Sequence, residues 1–194
     1  MYLRVKAEEN IRIPPNLFVM DRDNAIKEVL KKKYEGTIQK DLGFIVEVVD
    51  AKAKGTGVVI PGDPYIYYKT EFEMITFTVE PNEVFRGVVK DVLEFGAFVV
   101  IGPFEALLHN SQIAKERFFY DRKNKVLHNL NKDKTLKKGD VVLAKVSTVS
   151  MKGSSADVKI SLTMRPEGLG KVDWLVEEKK QKGSSKKKSK KSKK

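Results

Sequence analysis

The sequence predicts an α+β domain followed by an all-β domain, and three observations support this fold class. Apolar residues recur at helical spacing within residues 21–36, so we expect a helix there. Around it, short apolar or alternating segments are separated by Gly and Pro, which is typical of strands. After residue 81 the segments read as strands. We therefore predict a first domain of order βαβββ with a largely antiparallel sheet, and a second domain built from strands.

The first domain is predicted to span residues 1–81. It begins with a strand over residues 2–13, and Asp21 or Asp23 can cap the helix that follows. The apolar stripe of that helix consists of Ile26, Val29, Leu30 and Tyr34. The remaining strands are predicted over residues 43–50, 57–60 and 65–79.

The predicted sheet has apolar residues on both faces. In its last strand, Phe72 and Met74 lie on one face, whereas Ile75 and Phe77 lie on the other. One short helix covers a single face, and water penalises an apolar second face. We therefore expect the second domain, the C-terminal segment or another protein to cover that face.

The second domain is predicted to span residues 82–165. Its five predicted strands are residues 83–92, residues 98–101, a segment ending at His109, residues 140–149 and residues 157–164. In the first strand, apolar and basic side chains alternate, which we interpret as a half-buried strand: Val84, Arg86, Val88, Lys90 and Val92. Residues 98–101 are fully apolar, as in a strand that is covered on both faces.

The motif F-G-A-F-V at residues 95–99, followed by L-H-x-S at residues 108–111, resembles the S1 RNA-binding domain. That domain is a five-stranded OB-type barrel, which binds single strands by stacking bases on aromatic side chains. The resemblance implies that Phe95, Phe98 and His109 form the stacking platform. Alternation by itself leaves two alternatives open. Each Phe can fill the barrel instead, and His109 can be a neutral histidine bound to a backbone carbonyl.

Positive charge is concentrated in two segments of the chain. The formal net charge of +12 falls to +2 when the ten lysines of residues 179–194 are excluded. Residues 115–138, a long polar insertion between the third and fourth predicted strands, hold nine basic and three acidic side chains. A basic surface of this kind favours a polyanion as partner. The expected phosphate contacts are Lys115, Arg117, Arg122 and Lys123.

Short motifs along the whole chain make a second resemblance more specific. They are I-P-P at residues 13–15, K-Y-E-G at 33–36, K-D-L-G-F at 40–44, F-E-M-I-T at 72–76, K-G-D at 138–140, L-T-M-R at 162–165 and L-G-K at 169–171, with Trp174. By these motifs the chain resembles the family of the E-prime subunit of archaeal RNA polymerase and the seventh-largest subunit of eukaryotic RNA polymerase II.

This resemblance implies a non-catalytic stalk subunit of a multi-subunit DNA-directed RNA polymerase. In the family, the first domain docks on the polymerase core, and a second stalk protein, the F subunit, forms a heterodimer with the chain. The pair then binds emerging single-stranded RNA. The docking residues that the resemblance implies are Tyr34, Gly36, Lys40, Asp41, Gly62 and Asp63.

No motif in the sequence indicates catalysis, a cofactor or a metal centre. The chain has two histidines and no cysteine, so neither a nucleophilic triad nor a typical zinc site is indicated. No segment approaches the ~20 apolar residues of a membrane span. We expect a soluble cytoplasmic protein that belongs to an enzyme without being one.

Two other functions remain open at this point. One is a stand-alone S1-domain factor of translation or RNA decay. The other is a purely structural subunit whose barrel never touches RNA. Co-purification with the large catalytic chains of a polymerase would distinguish a transcription subunit from a stand-alone S1 factor. Crosslinking to transcripts would distinguish it from a purely structural subunit.

The C-terminal residues divide into an apolar and a basic part. Residues 166–178 contain Trp174 within a small apolar cluster, so we predict that they fold back on the body and bury Trp174, with a short helix from Lys171. Residues 179–194 are predicted to be a disordered poly-lysine tail.

Removal of residues 181–194 is expected to leave folding intact, because the segment has no apolar residue to offset the entropy of ordering. The deletion should weaken RNA binding at low salt, since lysines contact phosphates without reading sequence. Thermal unfolding and RNA titrations at two salt concentrations check both expectations. A substantial fall in Tm on deletion would contradict the first.

Overall fold

The computed structural model describes residues 1–150 and 158–176. These residues form two compact units: unit 1, residues 1–79, and unit 2, residues 80–150 with 158–176. Residues 151–157, between the last two barrel strands, and the predicted tail at 179–194 lie outside the described residues. Within the described part of the chain, no helix has the length and apolar character needed to cross a bilayer.

Unit 1 is an antiparallel sheet with one helix packed on one face. Its elements are β1 (Tyr2–Ile13), α1 (Arg22–Tyr34), β2 (Ile38–Gln39), β3 (Gly43–Val59) and β4 (Ile66–Phe77). The strand order in the sheet is β1-β4-β3-β2. Ile26 and Leu30 of α1 share a buried core with Phe72 and Met74 of β4. The predicted α+β domain is confirmed.

The set of strands in unit 1 differs from the predicted set. The segments predicted at residues 43–50 and 57–60 form one continuous strand, β3. A register shift between Lys54 and Val58 absorbs the extra residues opposite β4, and Gly55 adopts a φ of +79° that favours glycine. The fourth strand is instead the two-residue β2, so the order βαβββ holds.

The outer face of the sheet is charged over most of its length, so the predicted apolar second face is wrong there. Glu73 accepts a hydrogen bond from Arg4 and lies 2.8 Å from Nζ of Lys6. Further along, Glu8 pairs with Lys69 at 2.6 Å. In β4 the core residues Phe72 and Met74 alternate with Glu71 and Glu73. The outer face is apolar only near its two ends, at Phe77 against the ring of Tyr2 and at the exposed Val58.

Unit 2 is a five-stranded barrel with a separate small sheet inserted in it. Its strands are β5 (Val84–Leu93), β6 (Gly96–Ile101), β7 (Phe104–His109), β8 (Phe118–Asp121), β9 (Val126–Asn129), β10 (Thr135–Leu136), β11 (Val141–Ser150), β12 (Lys159–Thr163) and β13 (Gly170–Lys171). β12 closes the barrel, because it pairs parallel with β7 and antiparallel with β11. The predicted OB-type barrel is confirmed.

In β5, the valines and the basic residues of the predicted half-buried strand do not lie on opposite faces. Residues two apart share a face of a strand, so Val84 and Val88 lie outside together with Arg86 and Lys90. Both valines are about half exposed. A register shift between Val89 and Asp91 then turns Val92 into the core, which is the effect of a β-bulge.

The insertion predicted as a long loop is a folded three-stranded sheet of order β10-β9-β8. Its inner face buries Phe118, Leu127 and Leu136. The Nδ2 of the buried Asn129 donates to Glu116 at 2.7 Å and also to Asp133, so the far end of the sheet is held together by hydrogen bonds. The high charge of this segment conceals the period of two in its short apolar stretches.

The C-terminal segment packs on unit 2. β13 pairs with β11, and residues 172–176 are helical. Trp174 is half-buried rather than fully buried, with its ring centroid 6.0 Å from that of Phe118. Nζ of Lys171 lies 3.0 Å from a carboxylate oxygen of Asp140, and both side chains are about nine-tenths buried.

Lys171→Met is expected to destabilise the protein by about 3–5 kcal/mol, because it leaves the buried Asp140 carboxylate without its partner. The matched control is Lys159→Met, at an exposed position of β12, with an expected change within about 0.5 kcal/mol. Urea unfolding of the two variants measures the difference. Equal midpoints would show that the buried pair does not hold the segment.

Candidate nucleic-acid interface

Phe95 and Phe98 lie together on the outside of the barrel. Phe95 is in the turn between β5 and β6 and is 47% exposed. Phe98 is half-buried on the outer side of β6, since its neighbours Ala97 and Val99 fill the interior. The two ring centroids are 6.3 Å apart at 87°, an edge-to-face pair. The half-exposed Phe95 ring therefore keeps accessible surface for a stacking partner.

His109 lies beside the same turn. It is the cross-strand partner of Gly96, and the N–H of Asn110 donates to the carbonyl of Phe95 at 2.9 Å. A Cβ on Gly96 would collide with the carbonyl oxygen of Leu108, so glycine is needed for this close approach. The structure thus brings all three predicted platform residues together around Gly96.

The ring of His109 is oriented by the turn that follows it. Its Nδ1 accepts from the N–H of Ser111 at 3.3 Å and lies 2.8 Å from the Ser111 hydroxyl. It is therefore the N-cap of the short 3-10 turn Asn110–Gln112. The imidazole is exposed, and its contact is with Ser111 rather than with a backbone carbonyl.

The four predicted basic residues fall into two places beside the platform. Arg122 is in the β8–β9 hairpin and pairs with Glu94 at 3.1 Å, directly next to Phe95. Lys123 is exposed in the same hairpin. The other two, Lys115 and Arg117, line a groove next to the 3-10 turn. Sequence reasoning missed Arg165, which lines this groove as well and could have been found as the basic residue that follows the last barrel strand.

The β8–β9 hairpin has a rigid tip. The Asn124 amide donates to Asp121 at 2.7 Å, and the backbone N–H groups of Asn124 and Lys123 donate to the same carboxylate. These hydrogen bonds, that of the Asn124 side chain first, hold the pKa of Asp121 below its usual value. The hairpin therefore presents Arg122 and Lys123 from a defined turn.

The six predicted docking residues do not lie together. Gly36, Lys40 and Asp41 are near β2, which pairs with the β3 residues opposite Phe77. Gly62 and Asp63 are instead in the turn that leads into Ile66, at the other end of β4. β4 has twelve residues, so the two groups are roughly 35 Å apart at about 3.3 Å per residue.

Tyr34 has a structural role within unit 1. Its ring stacks on that of Phe72, with 5.6 Å between centroids, and its hydroxyl donates to Glu9 at 2.5 Å. Burial and this hydrogen bond raise the pKa of Tyr34. The side chain joins the end of α1 to β1, so its contacts are internal.

Gly62 and Asp63 build a tight turn at the other end of the sheet. Gly62 has a φ of +86°. Asp63 accepts from the Tyr67 hydroxyl at 2.7 Å and from the N–H of Tyr65 at 3.0 Å, and these two bonds lower its pKa. The carboxylate therefore shapes the turn between β3 and β4.

Exposed apolar residues surround this turn, and sequence reasoning missed them. They are Phe18, Val19 and Met20 after the strand β1, and Val58, Val59 and Ile60 at the end of β3. Val19 is 96% exposed and Val59 64%. We call these six residues the apolar end of unit 1. The available signal was two apolar triplets, each next to a proline turn.

Comparison with known proteins places both units in described families. Residues 8–64 match the SHS2 domain found in the N terminus of Rpb7p/Rpc25p/MJ0397, and residues 78–161 match the S1 RNA binding domain. Among solved structures, a putative exosome complex RNA-binding protein is 27% identical over 50% of this chain and 49% of its own, with a TM-score of 0.35.

Relatives that cover both units are RNA polymerase subunits. The DNA-directed RNA polymerase subunit Rpo7 of Saccharolobus solfataricus is 35% identical over 180 residues, which are 93% of this chain and 100% of the relative. The DNA-directed RNA polymerase II subunit RPB7 of Glycine max is 26% identical over 61% of this chain and 68% of its own length. The chain therefore belongs to the Rpo7 family of DNA-directed RNA polymerase subunits.

Proposed function

We propose that this protein is a non-catalytic stalk subunit of a cytoplasmic multi-subunit DNA-directed RNA polymerase. It docks on the polymerase core, forms a heterodimer with the F subunit of the stalk and binds emerging single-stranded RNA. The observation that carries the proposal is the similarity to Rpo7 over 93% of the chain and the whole length of that relative. A stand-alone S1 factor would leave unit 1 without a role.

The proposal divides the chain by task. Residues 1–81 dock on the polymerase and residues 82–165 bind RNA. Residues 166–178 pack on the body, and residues 179–194 form a basic tail. Two observations support this division. Unit 1 is separate from unit 2 near residue 80. β13, in the C-terminal segment, pairs with β11 of the barrel. Family membership supports the polymerase core and the second stalk protein as partners.

RNA binding is supported by the arrangement around Gly96. Phe95 and Phe98 offer rings on which bases can stack, and such stacking tolerates any base. Arg122 and Lys123 stand beside these rings and can hold phosphates. A subunit that follows every transcript needs this combination, because stacking and phosphate contacts both act without reading sequence.

Docking is supported by the apolar end of unit 1. Six exposed apolar side chains at one end of a small sheet are typical of a protein interaction site. Gly62 and Asp63 shape the turn between β3 and β4 at this end, so we keep these two residues in the proposed docking surface. Gly36, Lys40 and Asp41, at the opposite end, would contact a different part of the core or the second stalk protein.

Phe98→Ala is expected to weaken RNA binding about fivefold or more, because one stacked base contributes ~1–3 kcal/mol. The dependence of affinity on salt should stay nearly the same, since no phosphate contact is lost. Replacing Arg122 and Lys123 together with Ala should instead reduce the salt slope by about 0.7 per contact and weaken all sequences alike. RNA affinity against salt, measured for both variants, gives the two slopes.

These measurements also test the barrel face as a whole. Val84→Ala, at an exposed position on the outside of β5, is the matched control and should bind RNA like the parent. If both test variants remain folded and bind like this control, the barrel face is not the RNA site and a purely structural subunit is the better explanation.

A double substitution at the apolar end, Val58→Glu with Val59→Glu, is expected to abolish docking on the polymerase core. Both residues are exposed, so folding should be retained, whereas two buried charges would oppose an apolar contact. Co-purification of the large catalytic chains with tagged protein measures docking. Lys40→Ala with Asp41→Ala tests the opposite end in the same assay, and loss of the core in that variant alone would assign docking to that end.

A further inference from the structure

The insertion sheet carries a second pair of rings on its outer face. Phe119 of β8 and His128 of β9 are cross-strand partners, and their ring centroids are 6.4 Å apart with an interplanar angle of 36°. Phe119 is 43% exposed and His128 is half-buried. The core of this sheet is on its other face, at Phe118 and Leu127, so the outer pair is not needed to fill it.

The imidazole of His128 is held in one orientation. Its Nδ1 lies 2.8 Å from the carbonyl oxygen of Asn129. Because a carbonyl oxygen only accepts, Nδ1 carries a proton and donates this hydrogen bond. The ring is thereby positioned beside Phe119. The two neighbouring rings, tilted by 36° to each other, each offer a face on which a planar group can stack.

The surroundings of this ring pair are strongly basic. The insertion has nine basic and three acidic side chains. All three acids are engaged by asparagine side chains, Asp121 by Asn124 and the other two by Asn129. Within the described residues, seven of these nine basic side chains form no ion pair: Lys115, Arg117, Lys123, Lys125, Lys132, Lys137 and Lys138. The free positive charge indicates a polyanionic ligand.

The ring pair is close to the barrel platform. β8 begins at the groove beside the 3-10 turn and leads into the hairpin in which Arg122 pairs with Glu94, next to Phe95. Phe119 precedes Arg122 by three residues, so it lies roughly 10 Å from it along the strand. A single strand of nucleic acid that covers Phe95 can therefore continue along β8.

We propose that Phe119 and His128 form a second stacking position for single-stranded RNA, which extends the barrel platform onto the insertion. The proposal rests on the proposed RNA-binding function of unit 2. A protein partner fits this face less well, because the centre of a protein interface is depleted of charged residues, and of lysine in particular. Bases on the two rings, with phosphates on the free lysines, satisfy both the aromatic and the charged groups.

The test compares RNA of two lengths with the full chain. Fluorescence anisotropy is measured with oligoadenylate of about 5 nucleotides, near the lower limit for one OB fold, and of about 15 nucleotides, near the upper limit. Phe119→Ala combined with His128→Ala should weaken the longer RNA about fivefold or more and leave the shorter one unchanged. Phe98→Ala should weaken both lengths.

Two conservative variants separate stacking from packing. Phe119→Leu keeps apolar volume but removes the ring, so it should bind the longer RNA as weakly as Phe119→Ala. His128→Phe keeps a ring and should bind like the parent. Trp174 contacts Phe118, the neighbour of Phe119 in β8. Its fluorescence emission therefore reports whether the sheet remains folded in each variant.

The outcomes distinguish this inference from the function on which it rests. If Phe98→Ala weakens both lengths while the double variant binds both like the parent, the second position does not exist and the barrel site stands. If none of the variants changes RNA affinity, the RNA-binding function and the second position both fail. If Phe119→Leu binds the longer RNA like the parent, the Phe119 ring does not stack on a base and the second stacking position is refuted.

Discussion

The barrel strands of unit 2 form a closed ring because β12 pairs with β7 on one side and with β11 on the other. Closure leaves no free edge among these five strands and assigns every residue to the inside or the outside. The interior is narrow: a Cβ on Gly87 would collide with the Val99 side chain. Mostly aliphatic residues fill the interior, with Phe104 among them. Alternation along β6 leaves Phe98 on the outside, where it meets Phe95.

The parts of unit 2 outside the ring depend on contacts with it. The insertion sheet is tied to the barrel at its hairpin by Arg122 and Glu94, and its inner face receives Trp174 of the C-terminal segment. That segment is itself held by the buried pair of Lys171 with Asp140. The basic side chains of the insertion are consequently presented by a packed sheet at defined positions, which loses less entropy on binding than a flexible loop would.

The surface of unit 1 follows from a different constraint. A single helix covers one face of its sheet, and the ion pairs of Glu73 and Glu8 make most of the other face compatible with water. Six exposed apolar side chains lie at the end where β3 and β4 meet, and Met1, Tyr2 and Leu3 are exposed at the opposite end. Under the proposed function, unit 1 would contact protein through its apolar end and unit 2 would contact RNA.

The sequence by itself determined the fold class, the barrel motif and the family, because period-two alternation, turn glycines and short motifs are local properties. It also predicted a shared site for Phe95, Phe98 and His109 from the S1 motif, and the structure brings these residues close together. Only the tertiary structure decided which residues meet across strands. The pairing of Phe119 with His128, the folded insertion and the separation of Lys40 from Asp63 all depend on register and bulges. Those are set by packing between segments distant in sequence, which no local pattern encodes.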